Sequence, residues 1–426
     1  MELSENINWN EIEKSFGTPV YVYDTAIIDR QIKKFRSAFK NVNAHLKYAV
    51  KSCSNISILK YMQTQGLGLD TVSIPEIKMG LELGFKPSEM VFTPNIVSFE
   101  EMREAVDIGV PVNIENLQNL ESFGKHYGNA VGCCIRLNPN LVDEVEQGQT
   151  GDLDFSAVNK EHYDEVDSVK VSAWHNQSKF GISMSQYDLL MEIIEKYNIR
   201  IEGVHLHSSH VILNKEVFVK GVQTVFEIAS KFKDLRYVDF GGGIMVKHKT
   251  DDVVIELDDV GPLFEKEYKR FCERIGKTIE VWFEPGRFLI SEAGFLLTKT
   301  TVLKTNGHID FVGVDTGFNH LLRPMMYNAY HEITNVTNPK GELKQYNIVG
   351  NLCEIDNLGT QRMLNEVSVN DLLVIHNAGA YGFSMSSNYN SKFKPAEVLI
   401  HNGEAKLIRK RQSYNDLLAN QIEIDF

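Results

Sequence analysis

The chain has 426 residues, 43% of them apolar and 10% aromatic, and because single cores stop growing near ~300 residues, two domains are expected. Its 57 acidic residues outnumber 44 basic ones, for a net charge of −13, a field that repels nucleic acid and anionic lipid surfaces. No apolar run nears the ~18 residues of a membrane span, Met1-Glu2-Leu3-Ser4-Glu5 lacks the order of a signal peptide, and five scattered cysteines without a C-x-x-C pair exclude a disulfide framework or thiolate zinc site, so a cytoplasmic protein with free thiols is expected.

Gly17-Thr18-Pro19 introduces a first strand, Val20 to Tyr23, which precedes everything else and is a candidate to pair with sheet formed later. Eight apolar β-type runs then follow: His45 to Lys51, Leu67 to Ser73, Met90 to Asn95, Val110 to Asn116, Ala130 to Pro139, Ile201 to Ser209, Arg236 to Gly243 and Thr278 to Gly286. Most are continuously apolar, as parallel strands covered on both faces are, and the segments between them carry helical periodicity, as in Ile74 to Leu83 and Phe218 to Phe232. Eight strand-then-helix units in about 240 residues predict a closed (β/α)8 TIM-type barrel over 28–286. The polar stretch Leu141 to His175 is an uneven gap read as a loop insertion. Beyond Gly286 the runs Gly294 to Leu303, Phe311 to Val314, Gln345 to Val349, Asp371 to His376 and Ala396 to Ile400 predict a β domain, made of 287–426 together with 1–27.

In such a barrel the site lies at the C-terminal strand ends. The first strand ends in Lys51, either the first solvated residue after a strand or an amine whose pKa is lowered by desolvation for attack on a carbonyl as a Schiff-base lysine. In the sixth, the period of two puts His205 and His207 on one face, and with His210 they read either as metal ligands or as a ring-stacking site at His207, His205 being structural. The seventh ends in Gly241-Gly242-Gly243, a tight turn or a nest of N–H groups for a phosphate, and the eighth in Glu284-Pro285-Gly286-Arg287. Taken together, the four strand ends describe a ligand with an aldehyde, a phosphate and a basic ring nitrogen, which is pyridoxal 5'-phosphate.

The C-terminal domain adds Arg323-Pro324 with Tyr327 and His331, then Cys353-Glu354, then Ala378 through Asn390. With Tyr48-Ala49-Val50-Lys51, Ser178-Lys179-Phe180-Gly181 and the strand-end motifs, these stand in the order found in the fold-type III, alanine racemase-like pyridoxal-phosphate decarboxylases. The chain resembles that family over nearly its full length, and within it the branch that acts on diaminopimelate. The resemblance implies that Lys51 holds the cofactor, His207 stacks on its ring, Glu284 pairs with the ring nitrogen, and Gly241, Gly242, Gly243, Gly286, Arg287 and Tyr381 surround the phosphate. It further implies that Arg287, Arg323, Tyr327 and Tyr381 hold the substrate's distal end, that Glu354 meets its ammonium, and that Cys353 returns a proton to the α-carbon. Cys353 and Glu354 would come from a partner subunit, making a homodimer with shared sites.

The implied reaction is loss of carbon dioxide from meso-2,6-diaminopimelate to give L-lysine, the last step of lysine biosynthesis, with ornithine, arginine or carboxynorspermidine as alternative substrates. A zinc-dependent amidohydrolase-like barrel and a catalytically silent relative are the rival readings; the first lacks ligands at other strand ends, and the second conflicts with the presence of Lys51 and Cys353. Against the family's pattern, Ser209-His210 replaces Gly-Ser, Asn357 stands for an acid with Asp356 one place earlier, and Asn377 replaces another acid.

Overall fold

The computed structural model describes residues 7–138, 179–206, 215–249, 252 and 254–426. After β1 (Val20–Asp24), the chain forms β2 (Ala44–Ala49), β3 (Gly68–Thr71), β4 (Met90–Phe92), β5 (Asn113–Ile114), β6 (Gly132–Asn138), a two-residue β7 (Ile182–Ser183) beside β6, β8 (Arg200–His205), β9 (Tyr237–Asp239) and β10 (Glu280–Phe283). Apart from β7, these strands from β2 onward pair in parallel in the order β4-β3-β2-β10-β9-β8-β6-β5, and a bridge between Phe92 and Val112 joins the two ends. Each barrel strand thus lies beside its nearest barrel neighbours in sequence, as a (β/α)8 barrel requires. The apolar runs explain the strands directly: β4 and β9 are buried throughout, and β10 all but its first residue.

Polar residues close behind the strand ends start the helices. Asn55, Ser73, Ser98 and Asn116 each accept a backbone N–H as the N-cap of Ile56–Thr64, Ile74–Glu82, Phe99–Ile108 and Leu117–Tyr127. The expected helix Phe218 to Phe232 is shifted three residues earlier, to Lys215–Ala229. The strands are shorter than the apolar runs, and mostly at the C-terminal side: Arg236 to Gly243 contracts to Tyr237–Asp239.

The second sheet comprises β11 (Gly294–Asn306), β12 (Ile309–Val314), β13 (Ile333–Asn335), β14 (Leu343–Val349), β15 (Asn357–Asn365), β16 (Leu372–Ile375), β17 (Ala396–His401) and β18 (Glu404–Arg409), and β1 runs through its middle, antiparallel to β11 and parallel to β17. The five consecutive buried residues of β1 follow from that central place. Strands β13, β15 and β18 were not expected. The latter two are the ends of the sheet path, β18 largely exposed and β15 partly so, and edge strands carry too little apolar character to read as strands.

A buried carboxylate ties barrel to sheet. Glu397 on β17 accepts from Tyr23 Oη and from Asn55 Nδ2, both at 2.8 Å, and pairs with Arg409. The same Asn55 caps a barrel helix, so losing Glu397 would strip a cap of its anchor as well as leave Arg409 unpaired.

Candidate active site

Strand β2 passes into a single 3-10 turn, Val50–Ser52, that carries Lys51 beyond the strand end. That turn fits closely against the end of β10 because position 286 is glycine: a Cβ there would lie 3.0 Å from Ala49 Cβ and 3.1 Å from Ser52 Oγ. Lys51 Nζ lies 2.8 Å from Oδ2 of Asp70, a fully buried carboxylate at the end of β3. Burial works against the ammonium charge, but Asp70, Tyr381 and Glu284 outweigh it and hold the Lys51 pKa above the ordinary lysine range. The expected depressed amine is therefore corrected, because desolvation is not the only force at this strand end.

A buried lysine whose pKa does fall is Lys47, four residues earlier and at the opposite end of the barrel. It lies 4.1 Å from the centre of the Trp282 ring and bonds Glu89 O at 3.2 Å, with no carboxylate in the hydrogen-bond set, so burial wins and brings it to about 8.

Glu284 follows β10 directly, its N–H donating to Gly241 O at 2.7 Å. Its buried carboxylate accepts from Thr93 Oγ1 at 2.9 Å, Thr93 Oγ1 accepts from Asn113 Nδ2 at 2.9 Å, and His205 Nε2 stands 3.4 Å away. One ligand atom from each of His205, Asp239 and Glu284 falls within 4.8 Å of the others. Burial, and then Glu284, push the Asp239 carboxyl up; the same two causes push Asp70 up to about 6, against the pull of Lys51. Burial also lowers His205, despite Glu284, so its ring is neutral. The barrel mouth thus gathers three buried acids, whose oxygens can accept from a cationic ring nitrogen.

Gly241 has φ 63° and Gly243 has φ 91°, left-handed geometry that glycine adopts without strain. The N–H of Gly241 is committed to Asp239 Oδ1 at 2.8 Å, so this residue shapes the turn and is not itself a free donor for an anion, as had been expected. Beyond it, Arg287 opens a short helix, Arg287–Ile290, and Arg323 opens another, Arg323–Tyr327. Both guanidiniums approach the Tyr381 ring, at 5.7 and 6.0 Å, and Arg323 also the Tyr327 ring at 5.9 Å. Burial, and then Arg287, lower Arg323 to about 10, and its Nε has no hydrogen-bond partner among the described residues. These residues line a cavity of about 1040 Å³ together with His248 and Arg362. His248 is driven to about 4 by burial and by Arg323 and Arg287, against the opposing pull of Asp252, which lines the same cavity.

Tyr381 joins the halves, its N–H donating to Ser52 O at 2.8 Å. Cys353 and Glu354 are not brought to this cavity. They sit on an exposed turn between β14 and β15, where the Cys353 N–H donates to Asn390 Oδ1 at 2.8 Å and Glu354 accepts from Tyr389 Oη at 3.0 Å. Asp356 pins the turn by accepting from Phe318 N at 2.7 Å and Leu352 N at 3.3 Å, a role its shifted position left unread. Asn377 Nδ2 donates to Lys247 O at 3.0 Å. His207, Ser209, His210, Ser178 and the 141–175 segment lie outside the described residues. Sequence reasoning missed Asp70, Thr93 and Asn113 and gave Asp239 no role; the available signal was a polar side chain interrupting an apolar run near its C-terminal end.

The family described as pyridoxal-dependent decarboxylase, C-terminal sheet domain, matches residues 20–379. The diaminopimelate decarboxylase of Methanothermobacter thermautotrophicus is 31% identical over 424 residues, covering 96% of this chain and 93% of the relative. That of Escherichia coli strain K12 is 31% identical over 433 residues, covering 97% and 96%. Among solved structures, diaminopimelate decarboxylase from M. jannaschii in complex with L-lysine superposes with a TM-score of 0.84 at 27% identity, covering 97% of this chain and 94% of that one. The Helicobacter pylori enzyme, also complexed with L-lysine, gives 0.81 at 29% identity, covering 97% and 98%.

Proposed function

The chain belongs to the pyridoxal-dependent decarboxylases, and from that premise we propose that it removes one carboxylate of meso-2,6-diaminopimelate as carbon dioxide and releases L-lysine, the last step of lysine biosynthesis. The observation that carries the substrate is the pair Arg287 and Arg323 converging on Tyr381 in a cavity beside Lys51's turn. Two crowded guanidiniums suit the carboxylate of a second amino-acid head and are left without a counter-charge by ornithine's bare amine.

Pyridoxal phosphate, when bound, supplies an aldehyde for an amine and a protonated ring that draws off the electrons left behind by departing carbon dioxide. Lys51 is the amine that holds it, and Asp70, 2.8 Å from Nζ, holds or takes the proton that this amine must lose before it can act as a nucleophile. Glu284 supplies the negative charge that keeps the ring nitrogen protonated. Gly242, Gly243, Gly286, Arg287 and Tyr381 would hold the phosphate, with Gly241 setting their turn, and the family resemblance assigns the ring to His207, which lies outside the described residues. Arg287, Arg323, Tyr327 and Tyr381 orient the distal end of the substrate.

Cys353 delivers the proton to the α-carbon and Glu354 meets the ammonium, both from the partner copy of a homodimer; their exposure, away from their own chain's cavity, supports that arrangement. The barrel of 28–286 carries the cofactor and the segments 1–27 and 287–426 the distal-carboxylate wall. The enzyme works in the cytoplasm; no helix among the described residues is long and apolar enough to cross a membrane.

The test is carbon dioxide release from meso-diaminopimelate, ornithine and arginine incubated separately with the cofactor-loaded protein. Release from diaminopimelate alone is expected, and equal or faster release from ornithine would overturn the substrate. Arg323→Ala should raise KM for diaminopimelate by about 10- to 100-fold, the value of one or two charge-assisted hydrogen bonds, with a smaller change in kcat. An unchanged KM would remove Arg323 from the substrate's carboxylate.

A further inference from the structure

Glu284 sits in a place hostile to a carboxylate charge. It is almost fully buried, and the groups facing it from the surrounding strands include two further acids, Asp70 and Asp239, besides His205, Arg136 and Lys51. Buried acids this close share protons readily, and a Glu284 that took one up would lose the charge for which its position beside the ring nitrogen is useful. A local device must favour the ionised form of this acid over its neighbours.

The hydrogen bonds give one. Asn113 Nδ2 donates to Thr93 Oγ1 at 2.9 Å, and Thr93 Oγ1 donates to Glu284 Oε1 at 2.9 Å. All three side chains are at most 5% exposed, so no solvent competes. A hydroxyl has one proton to give; with the Asn113 amide occupying a lone pair of the oxygen, that proton is left for a carboxylate, Glu284 at 2.9 Å, with Asp70 as the competing acceptor. Hydrogen bonds donated to a carboxylate stabilise its charged form, the more so in a dry interior. Strand β5 supplies the amide, the residue following β4 the hydroxyl and the residue following β10 the acid, so the chain spans the barrel mouth.

We infer that Asn113 and Thr93 are positioning residues, which aim a hydroxyl proton at Glu284 and thereby hold it as the anion that selects a protonated ring nitrogen. The inference rests on the proposed cofactor role of Glu284 and extends it to two residues that touch neither cofactor nor substrate.

The experiment compares binding of pyridoxal phosphate with its 1-deaza analogue, which has carbon in place of the ring nitrogen, to the apoenzyme of wild type, Thr93→Val and Thr93→Ser, by fluorescence titration. Wild type should prefer the natural cofactor. Thr93→Val, which keeps the shape and loses the hydroxyl, should lower that preference about tenfold while binding the deaza analogue as wild type does, and Thr93→Ser should restore it. Intact affinity for the analogue also reports that the variant folds. A preference unchanged in Thr93→Val, or a parallel loss of affinity for both compounds, would overturn the inference, the latter assigning Thr93 to barrel packing alone. A wild type that does not distinguish the two compounds would sink the role of Glu284 itself, a different failure.

Discussion

Lys51→Ala is expected to give a protein that gains no yellow colour fixable by borohydride and releases carbon dioxide at least about 10³-fold more slowly than wild type, the scale of losing a nucleophile and its proton transfer together. The contrast with Lys47 makes the experiment decisive. Lys47 has the lower pKa, about 8, and would be the better nucleophile by protonation state alone. It faces the other end of the barrel, against Trp282, and lines a cavity separate from that of Arg287, Arg323 and Tyr381. Borohydride should therefore label Lys51 and spare Lys47, and mass-spectrometric labelling of Lys47 with Lys51 unmodified would overturn the assignment.

The same variant should change how stability depends on pH. Asp70 already has a folded pKa near 6, above the ~3.9 of an unfolded aspartate, and removing the ammonium 2.8 Å away raises it further. The folded variant then retains a proton that the unfolded chain releases. Its stability is greatest below the unfolded pKa and falls as pH rises through the folded one. Thermal melting of apo Lys51→Ala should therefore decline more steeply than that of the wild-type apoprotein between pH 5 and pH 8, and parallel curves would show that Asp70 does not depend on Lys51.

The barrel was legible because burial on both faces forces continuous apolar runs, and all eight survive as strands β2 to β6 and β8 to β10. Residues that protrude from strand ends were legible too, as with Lys51, Glu284 and Arg287, since a charge after such a run stands out. Asp70 and Thr93 were not, because a single polar residue inside or just after an apolar run looks like a strand terminus. Their meaning is three-dimensional: Asp70 matters through Lys51, 19 positions away, and Thr93 through Glu284, 191 positions away. The Lys51 error has the same origin. Sequence shows the apolar run that desolvates an amine, but not the carboxylate that the next strand places against it. Edge strands β15 and β18 were missed for the opposite reason, since solvent on one edge relaxes the apolar pattern.

Cys353→Ala should leave the cofactor colour intact and slow turnover by roughly 10²- to 10⁴-fold, the usual contribution of a positioned acid or base. Colour persists because nothing about Lys51, Glu284 or the arginine wall depends on the thiol. In a single chain this thiol is exposed on a turn that Asp356 and Asn390 hold in place, an ordered presentation with no target in its own cavity. The proposed two-fold dimer would resolve this, since the symmetry that brings one copy's turn to the partner's cavity would also bring the partner's turn back. Mixed dimers then discriminate. Lys51→Ala and Cys353→Ala chains, each nearly inactive alone, form a heterodimer in which one of the two sites has both an intact lysine and an intact cysteine. Random exchange of equal amounts should restore about a quarter of wild-type activity, half the dimers being mixed and each having one working site of two. Exchange verified by mass, with no recovered activity, would place Cys353 on the same chain as the Lys51 it serves, or outside the reaction altogether.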